Sequence, residues 1–143
     1  LRFNFPPARV FMGDAGSIPL GFLAAALGIM GAMQGVWPWL FPLLVFSPFI
    51  VDASVTLARR ALRGEKVWQA HRSHYYQRVV LLGASHRQLA IAAYVLMMMV
   101  AALGFALRAY PQHAGGALIL SAATYLLIFL GVDIRWRRNR NEP

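Results

Sequence analysis

The sequence predicts an all-α integral membrane protein: four transmembrane helices, with a basic loop between the second and the third. Three observations predict it. First, the windows 18–36, 38–58, 88–107 and 114–132 together hold one charged residue, Asp52, and each is close to the ~20 residues a helix needs to cross a hydrocarbon core. Second, 59% of the chain is hydrophobic and 13% charged, far from the balance of a soluble domain. Third, the 14 Lys and Arg lie outside those windows, and all but Arg108 precede the first, follow the second or follow the fourth. By the positive-inside rule, both termini and the 59–87 loop are cytoplasmic, and the turns near 36–37 and 110–113 face outward. Trp37, Trp39 and Tyr110 then fall where an aromatic belt belongs.

The same charge map removes other classes. A net charge of +9 suits nucleic acid only if it is spread over a groove-facing surface, and here it is confined to the ends of apolar segments. The absence of cysteine excludes disulfide frameworks, thiolate nucleophiles and Cys-based zinc sites. The 143 residues suffice for one domain. The chain opens on Leu1 with no signal-peptide pattern, so a fragment of a longer protein is expected.

In chain order, Pro6 and Pro7 stiffen an extended start. Asn4 either aims its amide at a ligand or closes a turn. In Phe11-Met12-Gly13-Asp14-Ala15-Gly16-Ser17, Ser17 is the expected N-cap and Pro19 suits the first helical turn. Asp14 is then either a second capping residue or a carboxylate facing a water-filled cleft, where backbone N–H groups and a helix N-terminus could hold a metal ion beside a phosphate. Gly21, Gly28, Gly31 and Gly35 suit close helix packing.

The second helix carries Pro38, Pro42 and Pro48 and is expected to be kinked or broken. Asp52, about two turns from its cytoplasmic end, should face protein or water. An ion pair or hydrogen bond on its own face, with Arg59 or Thr56, is preferred to a direct catalytic role. The 59–87 loop is rich in arginine, as a surface touching anionic headgroups would be, but that does not explain His71 and His74. If helical, the two share a face, and neighbouring cations would keep them neutral and able to relay protons. Arginines there can clamp phosphates. His86 and His113 look incidental. The third helix, with Met97-Met98-Met99, reads as packing or lipid contact. Asp133 with Arg135 reads as an interfacial anchor, and the tail to Pro143 as disordered.

Two stretches carry a family resemblance. The run NFPPARVFMGDAGS over 4–17, with Leu20-Gly21 after it, closely resembles polyprenyl-phosphate N-acetylhexosamine-1-phosphate transferases, glycosyltransferase family 4. So does Asp52…Arg59-Arg60…Gly64 followed by His71-Arg72-Ser73-His74-Tyr75-Tyr76-Gln77-Arg78. The branch that initiates O-antigen, enterobacterial common antigen or teichoic-acid synthesis fits better than the peptidoglycan branch, which would place adjacent histidines at 71–74.

The resemblance implies a multi-span enzyme of the bacterial inner membrane. It transfers HexNAc-1-phosphate from a UDP-N-acetylhexosamine to polyprenyl phosphate, undecaprenyl phosphate for instance, and releases UMP with Mg2+, or Mn2+ in its place. By the same resemblance Asp14 binds the metal, Phe11 stacks on uracil, and Asn4 lies near the nucleotide. His71, His74 and Arg72 line the diphosphate and sugar, and Arg59 and Arg60 bind substrate. The family's aspartate pair and nucleotide loop on earlier helices are not in these residues. The chain is therefore expected to be the C-terminal membrane portion, 1–143, of one transferase domain, inactive without its N-terminal half. The lipid bilayer and, in a homodimer, a second copy are the other expected partners. The rival expectation is a small four-helix membrane scaffold or transporter subunit whose basic loop only touches lipid.

Overall fold

A computed structural model describes residues 5–10, 12–69 and 73–141. Its long helices are α1 (Gly13–Met33), α2 (Leu40–Leu62), α4 (His86–Ala106) and α5 (Ala114–Asn141), with a short α3 (Tyr75–Leu81) between α2 and α4. Four segments are long and apolar enough to cross a membrane, so the all-α, four-span expectation holds. Their outer faces carry large apolar side chains in the open, such as Phe22, Ile119 and Leu127 at 72%, 73% and 70% exposure. In lipid such a surface carries no hydrophobic penalty.

The ends of the helices differ from expectation for local reasons. α1 begins at Gly13, not after Ser17, which puts Asp14 in its first turn and Pro19 inside the helix. An acid there is favoured by the helix dipole. α1 also stops earlier than 36, because Gly35 adopts φ +70°. The Gly35 N–H then donates to the Ala32 carbonyl at 3.1 Å and the Val36 N–H to that of Gly31 at 2.8 Å, the paired closure of a Schellman motif. Gly64 and Gly83 close α2 and α3 in the same way.

α2 runs unbroken through Pro48. A proline there removes the N–H that would bond the Leu44 carbonyl, and the Ser47 hydroxyl donates to that carbonyl instead, at 2.6 Å. Ser47 Oγ also hydrogen-bonds Tyr125 Oη of α5 at 2.6 Å. Pro42 sits in the first turn of α2, where no intrahelical N–H bond is lost. α4 starts on a capping box: Ser85 Oγ accepts from the Gln88 N–H and the Gln88 side chain accepts from the Ser85 N–H. The tail expected to be disordered is helical through Asn141. No breaker precedes Pro143, arginine is a good helix former, and cations favour a helix C-terminus.

Packing centres on α2 and α4, where Leu44, Val100, Leu107 and Ala117 form the buried core. Gly104 lets the two helices meet, since a Cβ there would lie 3.3 Å from the Phe41 backbone. α1 joins α2 through Gly28 and Gly31. A Cβ on Gly31 would run into the Trp37 indole, and Trp37 Nε1 donates to the Gly28 carbonyl at 2.9 Å. Trp37 thus serves the hairpin and not an aromatic belt, whereas Trp39 and Tyr110 remain exposed. Of the four glycines expected to aid packing, Gly28 and Gly31 do so, Gly21 faces open space, and Gly35 is a turn residue.

Candidate active site

The C-terminal ends of α2 and α5 meet α3 at the basic end of the bundle. On α2, Asp52, Thr56, Arg59 and Arg60 follow at i, i+4 and i+7/i+8 and so fall on one face. α3 begins only at Tyr75, with His74 as N-cap in extended backbone at φ −60°, ψ 147°. The Gln77 side chain accepts the His74 N–H at 3.3 Å. His74 therefore caps a helix instead of lying inside one, and His71 and Arg72, with the face expected to be shared, lie outside the described residues.

Asp52 joins the two elements. Its Oδ1 accepts the Tyr75 N–H at 2.8 Å, and its Oδ2 lies 3.3 Å from His74 Nδ1. This replaces the expected pairing with Thr56 or Arg59. Thr56 is buried, and its hydroxyl has no hydrogen-bond partner among the described residues. An anion thus stands against the His74 ring, while Arg72, one of the cations expected beside it, lies outside the described residues. Asp52 Oδ2 stands at ion-pair distance from Nδ1 and not in hydrogen-bond geometry with it; negative charge there favours a proton on that nitrogen. His74 also stacks on Tyr76, centroid to centroid 5.7 Å.

Asp133 is the second hub, where only an anchor beside Arg135 was expected. Its Oδ2 accepts from Arg59 Nη1 at 2.7 Å and from Tyr75 Oη at 3.1 Å, and its Oδ1 accepts from Arg78 Nη1 at 3.1 Å. Arg59 also donates to Tyr75 Oη, and Arg78 Nε donates to the Ser73 carbonyl. The buried Tyr75 ring stacks on Phe129 at 4.0 Å and lies under both guanidinium groups, at 5.4 Å and 5.1 Å. Burial first, and then the Asp133 carboxylate, raise the Tyr75 phenol above its ordinary value of 10.0, so it remains a neutral donor.

Arg59 and Arg60 separate here. The Arg59 side chain is 40% exposed and can reach a ligand. Arg60 is buried, and its fork is used on the loop that follows. Nε donates to Glu65 at 2.9 Å and Nη2 to the Lys66 carbonyl at 2.8 Å, with longer contacts to the carbonyls of Val67 and Gln69. Five planar donors suit this folding role.

Asp14 stands apart. It is exposed in the first turn of α1, and no hydrogen bond or ion pair among the described residues joins it to the cluster. Asn4 and Phe11 lie outside the described residues. No group of three His, Cys, Asp or Glu that could hold a metal occurs among the described residues. Asp14 is still chemically apt for Mg2+, which takes one or two carboxylates and completes its shell with phosphate oxygens and water.

The roles of Tyr75, Arg78 and Asp133 escaped the sequence reading. The available signal was scarcity: five acids stand among 14 Lys and Arg, so an acid at the end of a membrane helix has several cations competing for it.

The glycosyl transferase family 4 model matches residues 1–32, which include Asp14. A probable undecaprenyl-phosphate N-acetylglucosaminyl 1-phosphate transferase of Bacillus subtilis is 31% identical over 98 residues, 67% of this chain and 27% of that protein. The chain matches part of glycosyl transferase family 4. Further relatives of this group include a decaprenyl-phosphate N-acetylglucosaminephosphotransferase of Mycolicibacterium smegmatis, 28% identical over 90% of this chain and 34% of its own length. A phospho-N-acetylmuramoyl-pentapeptide-transferase of Shouchella clausii is 30% identical over 73% of this chain and 31% of that protein. The chain thus spans about a third or less of the length of these relatives. No solved structure matches it.

Proposed function

We propose that the chain is the C-terminal membrane portion of an enzyme that transfers HexNAc-1-phosphate from a UDP-sugar to polyprenyl phosphate. The reaction would take place at the cytoplasmic face of a bacterial plasma membrane and would initiate a cell-surface polysaccharide. The observation that carries this reading is the Asp52–His74 pair at the basic end of an apolar bundle, with the partly exposed Arg59 beside it. A scaffold that only touches lipid has no use for an imidazole oriented by a carboxylate.

In the reaction, an oxygen of the lipid phosphate bonds to the β-phosphorus of the UDP-sugar. The bond from that phosphorus to the bridging oxygen breaks, and UMP leaves. Such transfer depends chiefly on positioning and charge neutralisation. Arg59 would offset phosphate charge from the α2 end while Asp133 fixes its direction. His74, protonated at Nδ1 toward Asp52, would present Nε2 to the substrate as a hydrogen-bond or proton acceptor. His71 and Arg72 would line the diphosphate and sugar beside it, Phe11 would stack on uracil, and Asn4 would lie near the nucleotide. Arg60 would act on substrate through the shape of the 65–69 loop. Asp14 would supply a carboxylate oxygen to Mg2+, which when bound neutralises diphosphate charge.

The test uses the full-length protein with undecaprenyl phosphate and a panel of radiolabelled UDP-sugars, reading lipid-linked sugar and UMP. Transfer from one N-acetylated UDP-sugar is expected, with most of it lost in Asp14→Asn. Absence of transfer from every sugar, or an Asp14→Asn enzyme as active as the wild type, overturns the reading.

A further inference from the structure

A groove of about 760 Å³ opens between the end of α3 and α5, on a part of the surface that includes none of Asp14, Asp52, Arg59 or His74. Leu82 and Gly83 form one wall and Leu127 and Gly131 the other, with Arg135 and Arg138 farther along α5. Positions 131, 135 and 138 follow at i, i+4 and i+7, so they lie on one face of the helix. The apolar half of the groove therefore follows the membrane-crossing stretch of α5, and its basic half lies past the hub residue Asp133. The Asp133 carboxylate itself is held by Arg59, Tyr75 and Arg78. Among the described residues no acid lines the groove.

An apolar trough running into the membrane under a basic rim has the inverse shape of a phospholipid with an anionic headgroup. Basic pockets between membrane helices bind such headgroups through paired charge while the acyl chain covers apolar wall. We propose that this groove is a binding site for an anionic phospholipid of the adjacent leaflet, separate from the site of transfer. A lipid seated here has its phosphate at Arg135 and Arg138, away from the Asp52–His74 pair.

The shape of Gly131 makes the proposal testable. A Cβ built there meets nothing within 4 Å, so a side chain can start from this position into the open trough, and Gly131→Phe places a ring in it. The full-length protein in detergent is titrated with phosphatidylglycerol and with phosphatidylcholine of the same chains, and bound lipid is read by native mass spectrometry. Phosphatidylglycerol is expected to bind in preference. The double change Arg135→Gln with Arg138→Gln should weaken it roughly thirtyfold, the equivalent of about 1 kcal/mol of headgroup attraction per arginine. Double replacement by Lys should retain most binding. Gly131→Phe should abolish it, and Gly131→Ala, which tests the helix alone, should not. Equal binding of the two lipids, or phosphatidylglycerol binding unchanged in both the double Gln and the Gly131→Phe proteins, overturns the proposal. So does displacement of phosphatidylglycerol by polyprenyl phosphate together with a raised KM for that acceptor in the double Gln protein, which would give the groove to the acceptor lipid.

Discussion

Asp52 Oδ2 lies 3.3 Å from His74 Nδ1, while the other oxygen of the same carboxylate holds the Tyr75 N–H at 2.8 Å. One side chain of α2 thus sets both where α3 starts and how the imidazole before it is turned. Asp52→Asn separates the two effects. The amide oxygen can still accept the Tyr75 N–H, but the negative charge beside Nδ1 is gone. In the full-length enzyme kcat should fall on the order of 10²-fold with little change in KM, as misplacement of a reacting group does. The His74 tautomer, read by 15N NMR, should shift away from the Nδ1–H form. An unchanged tautomer with unchanged kcat would leave Asp52 only its role at the start of α3.

Asp133 should matter for stability more than its expected place as an anchor suggests. It draws α2 and α3 to α5 through Arg59 and Arg78. Asp133→Ala leaves the poorly exposed Arg78 without its carboxylate, and each charged hydrogen bond removed costs about 1.5–3 kcal/mol, the lower end applying to the more exposed Arg59. Thermal unfolding in detergent should show a net loss of about 2 kcal/mol or more. Asp133→Asn should lose less, because its amide oxygen still accepts a hydrogen bond.

Ser47 and Pro48 should be coupled. Ser47 donates to the carbonyl that Pro48 cannot serve, and it also meets Tyr125. Ser47→Ala should cost about 0.6–1.7 kcal/mol, the range found for hydrogen bonds between membrane helices. In a Pro48→Ala background the cost should shrink, since the new N–H reaches Leu44. A double-mutant cycle read by unfolding measures this difference. Strict additivity would mean that the hydroxyl serves only Tyr125.

Alkali should weaken the α2–α3–α5 junction. Tyr75 has its folded-state value raised by burial and by Asp133, so the unfolded chain loses the phenolic proton first as pH rises. The contribution of the neutral phenol is fully present below about 10 and is lost as pH rises through the folded-state value. Phenolate absorbance followed against pH should include a late step from Tyr75. Tyr75→Phe should remove that late step, together with the part of the alkaline loss of stability that it causes.

What the amino-acid sequence determined by itself is the class of the protein and the length of its parts. Apolar windows of membrane-spanning length and arginines gathered at their ends suffice, because the transfer of side chains into lipid adds residue by residue and needs no knowledge of neighbours. Local chemistry was equally available in principle. Ser85 with Gln88, and the glycines at 35, 64 and 83, mark helix ends within a few residues of chain. Tertiary structure alone decided the pairing of the acids. Asp52 could have met Arg59 on its own helix and Asp133 could have met Arg135, but α3 docks across both. Its Tyr75 and Arg78 bring donors that sequence separation hides. An ion pair depends on a distance through space, and in a chain with few acids and many arginines only the packing of the helices selects which pair forms.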